Sequence, residues 1–451
     1  MKWFVYNCLF FVAYLAMMPS FLIRMKRRGG YKARMGDRFG KYPDEIVARL
    51  RANAEKGPIW IHAVSVGEVQ VAAQLMRALR ERDASVRFVF STTSSTGWKT
   101  AETELAKLKT AGLGSEDDVL IYNPLDFGGC VKRALELIQP RAVILTETEI
   151  WPNFIRAIRA RGVPLCLVNA RISDHSAPRY KALRWFFGEV FRCFTKIYVQ
   201  SELDAQRLRD AGANPDVLQV TGSFKFDVAH RNPAKEKELA EWIGHDVLLL
   251  GGSTWPGEDE ALLRIYKELQ KTHPEVTLVI APRHFEKADA VEANITAAGF
   301  DCIRRSRALK QTSSDSRSQA NVTHPVYLCD TTGEMMGLFG ISTVAFVGKS
   351  LCAHGSQNMI EPCLCGKPTV VGPYTENFRP VMSDLLASQA LVQVPDEAAL
   401  QREIIRFFDD PAARAAQGTR ATQAVQRRCG VVGRCADELL KALGYSSKES
   451  T

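Results

Sequence analysis

The sequence predicts an α/β protein built from two doubly wound, Rossmann-like domains of parallel strands. Three observations predict this fold class. Short apolar runs alternate with helical stretches of roughly 10 to 15 residues, which is the pattern of βαβ units. This alternation runs from residue 59 to residue 226 and starts again at residue 247. Small, glycine-rich or charged residues follow most of the runs, as expected where ligands bind beyond the carboxyl ends of parallel strands.

The first series of strands predicts an N-terminal domain over residues 24–228. A helix with apolar periodicity, residues 69–80, follows the first of these strands. The apolar runs of this series are residues 59–63, 87–90, 142–145, 165–168, 197–199 and 217–220.

The second series predicts a C-terminal domain over residues 229–445, entered through a polar helical stretch at 229–242. Its apolar runs are residues 247–251, 276–281, 301–303, 326–329, 344–347 and 369–371. Residues 309–324 are rich in Ser and Gln and predict a mobile surface loop. Because the motifs of both series lie at the carboxyl ends of strands, the two domains are expected to face each other across one cleft.

The first 23 residues predict a membrane anchor. Residues 3–23 are almost entirely apolar, which suffices for a helix to cross a bilayer core of about 30 Å. The basic residues that follow, with Asp37 as the one acid among them, place this end of the helix in the cytoplasm. They are Arg24, Lys26, Arg27, Arg28, Lys32, Arg34, Arg38 and Lys41. A signal peptide is the alternative, but a basic cluster stands where its cleavage site belongs.

The composition is that of a globular protein with an anionic partner. Of the 451 residues, 46% are hydrophobic and 24% are charged, with a net charge of +9. This charge favours nucleic acid or an anionic membrane surface, and the anchor favours the membrane. The 11 cysteines are scattered without a C-x-x-C pair, which is typical of reduced thiols in a cytosolic domain. No His/Cys cluster has the spacing of a zinc site.

The C-terminal half carries a candidate site for an anionic nucleotide. Residues 344–371 are interpreted as strand, glycine-containing loop, helix start and strand, so that backbone N–H groups and a helix dipole face the loop. Glu361 lies where a carboxylate accepts two ribose hydroxyls. The alternative is a capping box formed by Asn358 and Glu361. Further loops at the same sheet edge are residues 251–258, 281–284 with Arg283, and 331–335.

Acids and cations follow the strands of the N-terminal half. Glu68 lies at a helix start after a glycine turn, where it would act as a general base or only interact favourably with the helix dipole. Glu147 and Glu149 follow a later strand, and the cations of this half are Arg171, Arg179, Lys181 and Lys225. Paired acids and cations suit an anionic substrate rich in hydroxyls. No clear D-x-D metal motif is found, and residues 258–260 are interpreted as the acidic first turn of a helix.

Six motifs occur in a fixed order along the chain: SVGE at 65–68, ETEIWPN at 147–153, NAR at 169–171, GSFKFD at 222–227, APRH at 281–284 and NMIE at 358–361. Through them the chain closely resembles the transferases of 3-deoxy-D-manno-octulosonic acid (Kdo), over nearly its whole length. The resemblance implies a GT-B fold, CMP-Kdo as donor and lipid IVA as acceptor in lipopolysaccharide biosynthesis. It implies that the transfer takes place at the cytoplasmic face of a Gram-negative inner membrane. No metal, cofactor or nucleic acid is expected to take part.

The resemblance also implies roles for single residues. Glu68 matches the catalytic base. Glu147 or Glu149, with Glu147 preferred, matches a position that supports the transition state together with Lys225. The residues that match the CMP site are Pro282, Arg283, Gly333, Glu334, Met335, Asn358, Met359, Ile360 and Glu361. Attack from the face opposite the leaving nucleotide inverts the anomeric configuration. Gln357 and Tyr374 stand where the family usually has His.

Two other functions fit part of this pattern. A GT-B enzyme that uses a UDP-sugar would share the fold and the anchor, and competition by CMP against UDP separates it. A non-catalytic nucleotide-sugar-binding protein would keep Arg283 and Glu361 but would not need Glu68. Because every proposed chemical residue lies beyond residue 60, the anchor is expected to be dispensable for transfer to a detergent-solubilised acceptor.

Overall fold

The computed structural model describes residues 2–28, 32–228, 231–310 and 324–444. Within these residues the chain forms two seven-stranded sheets, and every pair of neighbouring strands is parallel. Each sheet belongs to a compact unit of its own. The first unit contains the chain up to Val228 together with the residues from Gly430 onward, and the second contains the chain between them. The predicted α/β class with two doubly wound sheets is confirmed.

The strands of the first sheet are β1 Ile59–His62, β2 Phe88–Thr92, β3 Val119–Tyr122, β4 Ala142–Thr146, β5 Leu165–Ala170, β6 Lys196–Val199 and β7 Leu218–Val220. The strands of the second sheet are β8 Leu248–Thr254, β9 Thr277–Pro282, β10 Cys302–Arg304, β11 Val326–Leu328, β12 Val344–Val347, β13 Thr369–Val371 and β14 Val392–Gln393.

The helices of the described residues are α1 Lys2–Arg28, α2 Asp44–Ala54, α3 Val66–Arg82, α4 Ser95–Thr110, α5 Gly128–Ile138, α6 Pro152–Ala160, α7 Ala177–Ala182, α8 Arg184–Phe191, α9 Glu202–Asp210, α10 Lys225–Val228, α11 Pro233–Ile243, α12 Glu258–Leu269, α13 Ala288–Ala297, α14 Arg305–Ala308, α15 Met335–Ile341, α16 Ile360–Leu364, α17 Arg379–Ala387, α18 Glu397–Asp409, α19 Pro411–Gln426 and α20 Val431–Ala442.

Each sheet contains a point where the strand order reverses. The first sheet has the order β3-β2-β1-β4-β5-β6-β7, and the second has the order β10-β11-β9-β8-β12-β13-β14. The chain therefore leaves β1 and β4, and likewise β8 and β12, toward opposite sides. Ligands of doubly wound sheets bind at such switch points. The segments after β1, β4 and β12 contain Glu68, Glu147 and residues 358–361, which are half of the candidate site residues.

The central strands are buried along their length because helices cover both faces of each sheet, whereas β7, β10 and β14 are only partly buried. In the first sheet, Trp60 and Val143 belong to one core cluster, whereas the adjacent Ile61 and Ile144 belong to the cluster on the opposite face. Phe346 belongs to the core of the second unit. The sequence prediction missed β3, a four-residue run next to acidic residues, and β14, which has only two residues.

The C-terminal helix α20 belongs to the first unit, although the sequence predicted one domain over residues 229–445. Val431 and Leu439 pack in the cluster that also contains residues of α3. The Asp227 carboxylate accepts hydrogen bonds from the backbone N–H groups of Gly430 and Val432, at 2.6 Å each. Packing and capping therefore tie the returning chain to the first unit.

The N-terminal helix α1 contains a segment, Lys2–Pro19, that is long and apolar enough to cross a membrane, with a mean hydropathy of 1.2. Length and composition of one such helix are weak evidence for a membrane span. One stripe of α1 is half-buried and contacts the first unit, with Trp3 and Tyr6 against its core. Most other side chains in the described part of α1 up to residue 19 are exposed, including Phe4 at 73% and Leu9 at 65%.

Two of the basic residues that follow α1, Arg34 and Arg38, do not project freely into solvent. Arg34 forms an ion pair with the buried Asp37 at 2.7 Å, and its guanidinium lies 5.0 Å from the centre of the Trp98 ring. Arg38 is buried, donates to the Thr93 carbonyl and lies over the Tyr122 ring. The side chains of residues 24–32 lie outside the described part, as do most of the predicted surface loop 309–324 and the start of the polar stretch 229–242.

Candidate active site

Glu68 lies in the first turn of α3, directly beyond the carboxyl end of β1. Its carboxylate accepts hydrogen bonds from the Ser65 hydroxyl at 2.7 Å, the Val64 backbone N–H at 3.0 Å and the Thr146 hydroxyl at 3.3 Å. Ser65 in turn caps the helix by accepting from the Glu68 backbone N–H. The side chain is 8% exposed. Glu68 is therefore a fixed carboxylate at the switch point of the first sheet.

Glu147 follows β4, the strand next to β1. Its backbone is left-handed, with φ of 51°, and this conformation of a non-glycine residue is uncommon. The carboxylate forms an ion pair with Arg171, 3.3 Å from Nε. Burial raises the pKa of Glu147, while the charges of Arg171 and Lys225 lower it. The net direction is upward, so these two cations offset only part of the cost of burying the carboxylate.

Glu149 has a different environment from Glu147. Its carboxylate accepts a hydrogen bond of 2.9 Å from the indole N–H of Trp151. Burial and the charge of Glu68 raise the pKa of Glu149 to about 7. The sequence left open which of the two acids has a role beside Lys225. In the structure, Glu147 shares the cations and Glu149 does not.

Lys225 begins α10, and a residue of β5 fixes its position. The Asn169 side-chain oxygen accepts from the backbone N–H of Phe224 at 3.0 Å, and the Phe224 side chain is fully buried. Burial lowers the pKa of Lys225, whereas the charge of Glu147 raises it. Asn169 thus positions the ammonium group through Phe224. The sequence indicates Asn169 only as part of the motif NAR and predicts no role of its own for it.

The structure brings together only some of the acids and cations that the sequence singled out. In the first unit, the pKa values of Glu147, Glu149 and Lys225 respond to charges within one group of side chains. The group consists of Glu68, Glu147, Glu149, Arg171 and Lys225. Lys181, in contrast, forms an exposed ion pair with Asp210 at 3.1 Å. No contact of Arg179 with these acids is found among the described residues.

The switch point of the second sheet is organised by Glu258, the first residue of α12. Its buried carboxylate accepts hydrogen bonds from the backbone N–H groups of Lys349, Ser350 and Leu351, at 2.7, 2.9 and 2.9 Å. It also accepts a hydrogen bond from the backbone N–H of Trp255 at 2.9 Å. The sequence predicted that the 251–258 turn binds an anion. In the structure Glu258 itself accepts from one N–H of this turn, that of Trp255, and from three N–H groups of the loop after β12.

This loop passes close to the end of β8, and glycine makes the approach possible. A Cβ atom at Gly348 would collide with the backbone carbonyl oxygen of Ser253. The loop then closes on itself, because Ser356 donates to the Lys349 carbonyl at 2.7 Å and Gln357 donates to the Gly348 carbonyl at 3.1 Å. Gln357, one departure from the family pattern, therefore contributes a backbone contact to the loop.

Asn358 and Glu361 do not form the capping box. The Asn358 side-chain oxygen accepts from the Ile360 N–H at 3.1 Å, and its amide group donates to the Glu361 carboxylate at 3.0 Å. Met359, the residue before α16, makes no side-chain cap of its own. Burial raises the pKa of Glu361, while the Asn358 hydrogen bond and the charge of Arg283 lower it. Glu361 is thus held by one amide beside a fixed cation.

Three residues predicted to contact CMP present no free side chain. Met359 and Ile360 are fully buried in the core, so only their backbone is available. The buried Glu334 carboxylate contacts Arg305, Thr331 and Cys329, and its network stabilises the turn that contains Gly333. The turn before Met335 therefore offers backbone groups to a ligand, and Glu334 contributes by holding that turn in place.

Tyr374, the second departure from the family pattern, packs on the loop after β12. Its ring centre lies 3.9 Å from that of His354, whose Nδ1 is 2.9 Å from the Glu376 carboxylate. Within the described residues, no group of three or more His, Cys, Asp or Glu side chains is placed to hold a metal ion.

Comparison with solved structures defines the class of the fold. UDP-GlcNAc 2-epimerase from Neisseria meningitidis, solved with UDP-GlcNAc, superimposes with a TM-score of 0.56. The match covers 86% of this chain and 99% of that chain at 12% identity. The two doubly wound units therefore have the GT-B fold.

Comparison with protein sequences defines the family. The family described as 3-deoxy-D-manno-octulosonic-acid transferase (kdotransferase) matches residues 33–228. The 3-deoxy-D-manno-octulosonic acid transferase of Bordetella pertussis is 33% identical, over 93% of this chain and 95% of the relative. That of Haemophilus influenzae is 29% identical over 91% of each chain. The chain belongs to the Kdo transferase family and is a glycosyltransferase.

Proposed function

We propose that this glycosyltransferase transfers Kdo from CMP-Kdo to lipid IVA, with inversion at the anomeric carbon and without a metal ion. The observation that carries the proposal is the cluster of Glu68, Glu147, Arg171 and Lys225, which follow β1, β4, β5 and β7 respectively. A fixed carboxylate beside an acid shared by two cations suits proton removal from a hydroxyl of an anionic sugar. The family membership supports Kdo as the transferred group.

Glu68 acts as the general base in this proposal. The three hydrogen bonds to its carboxylate hold it in one orientation at the sheet edge. It takes the proton of the acceptor hydroxyl as that oxygen bonds to the anomeric carbon of Kdo. The bond between this carbon and the phosphate oxygen breaks, and CMP leaves with its electron pair. Attack from the face opposite CMP inverts the configuration.

Lys225, together with Glu147 and Arg171, supports the charge that develops during transfer. Burial makes this ammonium group electrostatically strong, because few waters screen it. Glu147 keeps the cation in place, and Asn169 fixes the backbone from which it projects. A preorganised cation of this kind supplies stabilisation that a metal ion gives in other transferases.

The donor site that we propose lies at the switch point of the second sheet. Arg283, after β9, supplies positive charge for the nucleotide phosphate. Glu361 accepts the two ribose hydroxyls, and its hydrogen bond from Asn358 orients the carboxylate. Backbone groups from Gly333 to Met335 contact the base, and Pro282 lies at the same edge. The loop held by Glu258 supplies backbone groups beside Asn358.

The acceptor that we propose is a phosphorylated lipid in the cytoplasmic leaflet of the inner membrane. Two observations support this localisation: the apolar residues exposed on α1 and the run of basic residues that follows it in the sequence. Basic residues near an anionic surface contribute about 1 kcal/mol each to membrane attachment.

Product analysis tests this proposal. The protein is incubated with lipid IVA and CMP-Kdo in detergent, with and without EDTA, and the products are weighed by mass spectrometry. We expect lipid IVA to gain Kdo in both samples, and we expect CMP to inhibit more strongly than UDP. Absence of any Kdo adduct contradicts the donor or the acceptor. Loss of turnover with EDTA, restored by Mg²⁺, contradicts the electrostatic role of Lys225 and Arg283.

A further inference from the structure

The N-terminal helix α1 is attached to the first unit by specific side-chain contacts. Trp3, Tyr6, Phe10 and Tyr14 recur at helical spacing and form one stripe along α1. Trp3 and Tyr6 lie 5.4 and 5.6 Å from the ring of Phe186. Phe10 and Tyr14 lie 5.0 and 5.3 Å from the ring of Phe127. We call these four residues the docking stripe.

Two polar contacts of α1 converge on a single buried node. The Tyr6 hydroxyl donates to the Asp126 carboxylate at 2.7 Å, and the Asn7 side-chain oxygen accepts from the Asn153 amide at 2.7 Å. The same Asn153 amide donates to the Asp126 backbone carbonyl. Asp126 is 2% exposed. Because a buried carboxylate is costly to leave without partners, these hydrogen bonds restrict where α1 can lie.

The node also fixes the start of α6. The Asp126 carboxylate accepts from the backbone N–H groups of Asn153 at 3.0 Å and Phe154 at 2.7 Å. It therefore caps α6, because Trp151, the residue before this helix, makes no side-chain cap of its own. Residues 147–151, which carry Glu147 and Glu149, connect β4 to this capped helix. Their position depends on where α6 begins.

We infer that α1, through Tyr6, Asn7 and Asp126, is a positioning element for the segment Glu147–Trp151 and is not a dispensable anchor. The inference rests on the proposed role of Glu147. Tyr6, Asn7 and Asp126 act by fixing the backbone at the start of α6, and they do not contact the reacting atoms. It reverses the expectation, drawn from the sequence, that removal of residues 1–23 leaves transfer to a detergent-solubilised acceptor intact.

Hydrogen exchange tests the inference without reference to activity. Amide exchange of peptides covering residues 147–156 is compared in full-length protein, a form lacking residues 2–23, Tyr6→Phe and Tyr14→Phe. Tyr14→Phe is the matched control, because it removes a hydroxyl from the same stripe and that hydroxyl has no hydrogen bond within the described part of the chain. We expect faster exchange in the truncated form and in Tyr6→Phe only. Unchanged exchange after truncation overturns the inference.

Kinetics in detergent give the second arm. We expect Tyr6→Phe to lower kcat about 3- to 10-fold and the truncated form to lower it further, with KM for CMP-Kdo unchanged, since small displacements of reacting groups cost rate. Asn7→Ala should lower kcat and Asn7→Asp, which keeps the acceptor oxygen, should restore it. Full kcat in a folded truncated protein overturns the inference. If the full-length protein transfers no Kdo, only the proposed function fails. The hydrogen-exchange measurement then still tests whether α1 positions residues 147–151.

Discussion

The buried Glu149 makes stability depend on pH near neutrality. Its pKa is raised to about 7, so the folded protein holds a proton that the unfolded chain releases near pH 4.5. Between these two values the folded state binds more protons than the unfolded state. The free energy of unfolding therefore falls as pH rises through this window, by at most about 1.4 kcal/mol per pH unit.

Glu149→Gln should remove this pH dependence. Compared with the native protein, the variant should gain thermal stability at pH 8 relative to pH 5, measured by melting curves at both values. Glu102→Gln, an exposed acid on α4, is the control and should show no such difference. An equal effect of Glu149→Gln at both pH values would show that Glu149 ionises normally.

Glu361 separates a ligand role from a structural role. Glu361→Ala should weaken CMP binding by about 1–3 kcal/mol, because two ribose hydroxyls lose a charged acceptor. Calorimetry measures the affinity and a melting curve measures stability. A lower melting temperature with unchanged CMP affinity would mean that Glu361 only stabilises the loop with Asn358.

At the level of elements, the loop after β12 depends on an acid from another helix. The Glu258 carboxylate accepts hydrogen bonds from the backbone N–H groups of Lys349, Ser350 and Leu351. A glutamine there would turn an N–H group toward these donors. Glu258→Gln should therefore lower the free energy of unfolding by about 2–4 kcal/mol and weaken CMP binding. Glu268→Gln, on the exposed face of the same helix, should change neither. Normal CMP affinity in Glu258→Gln would contradict the role of this loop.

The sequence predicted most elements because they are local patterns. Twelve of the strands are apolar runs between turn residues, and the acids and cations follow them within a few positions. Three features could not be read in this way. Glu258 meets a loop about 90 residues later, α20 returns to the first unit through its packing near α3, and Asp126 joins two helices distant in sequence. Each of these features depends on contacts between residues far apart in the chain, and the local pattern of apolar residues carries no information about such contacts.

At the level of the whole molecule, attachment to membranes tests the role of the exposed side of α1. The full-length protein should stay on anionic vesicles in high salt, because apolar contacts are not screened. Replacement of Phe4, Leu9 and Val12 by glutamine should make attachment sensitive to salt, as measured by co-sedimentation. These residues are exposed and lie outside the docking stripe. Release of the unaltered protein by salt would assign this apolar surface to another partner.

In the proposed reaction, Glu68 removes the proton of the acceptor hydroxyl during transfer of Kdo. The most direct measurement is turnover of Glu68→Gln with CMP-Kdo and lipid IVA, with Glu81→Gln on the exposed side of the same helix as control. We expect Glu68→Gln to lose roughly 10²-fold or more in kcat, with CMP affinity and fold retained and with the control fully active. Near-native turnover in Glu68→Gln would contradict it.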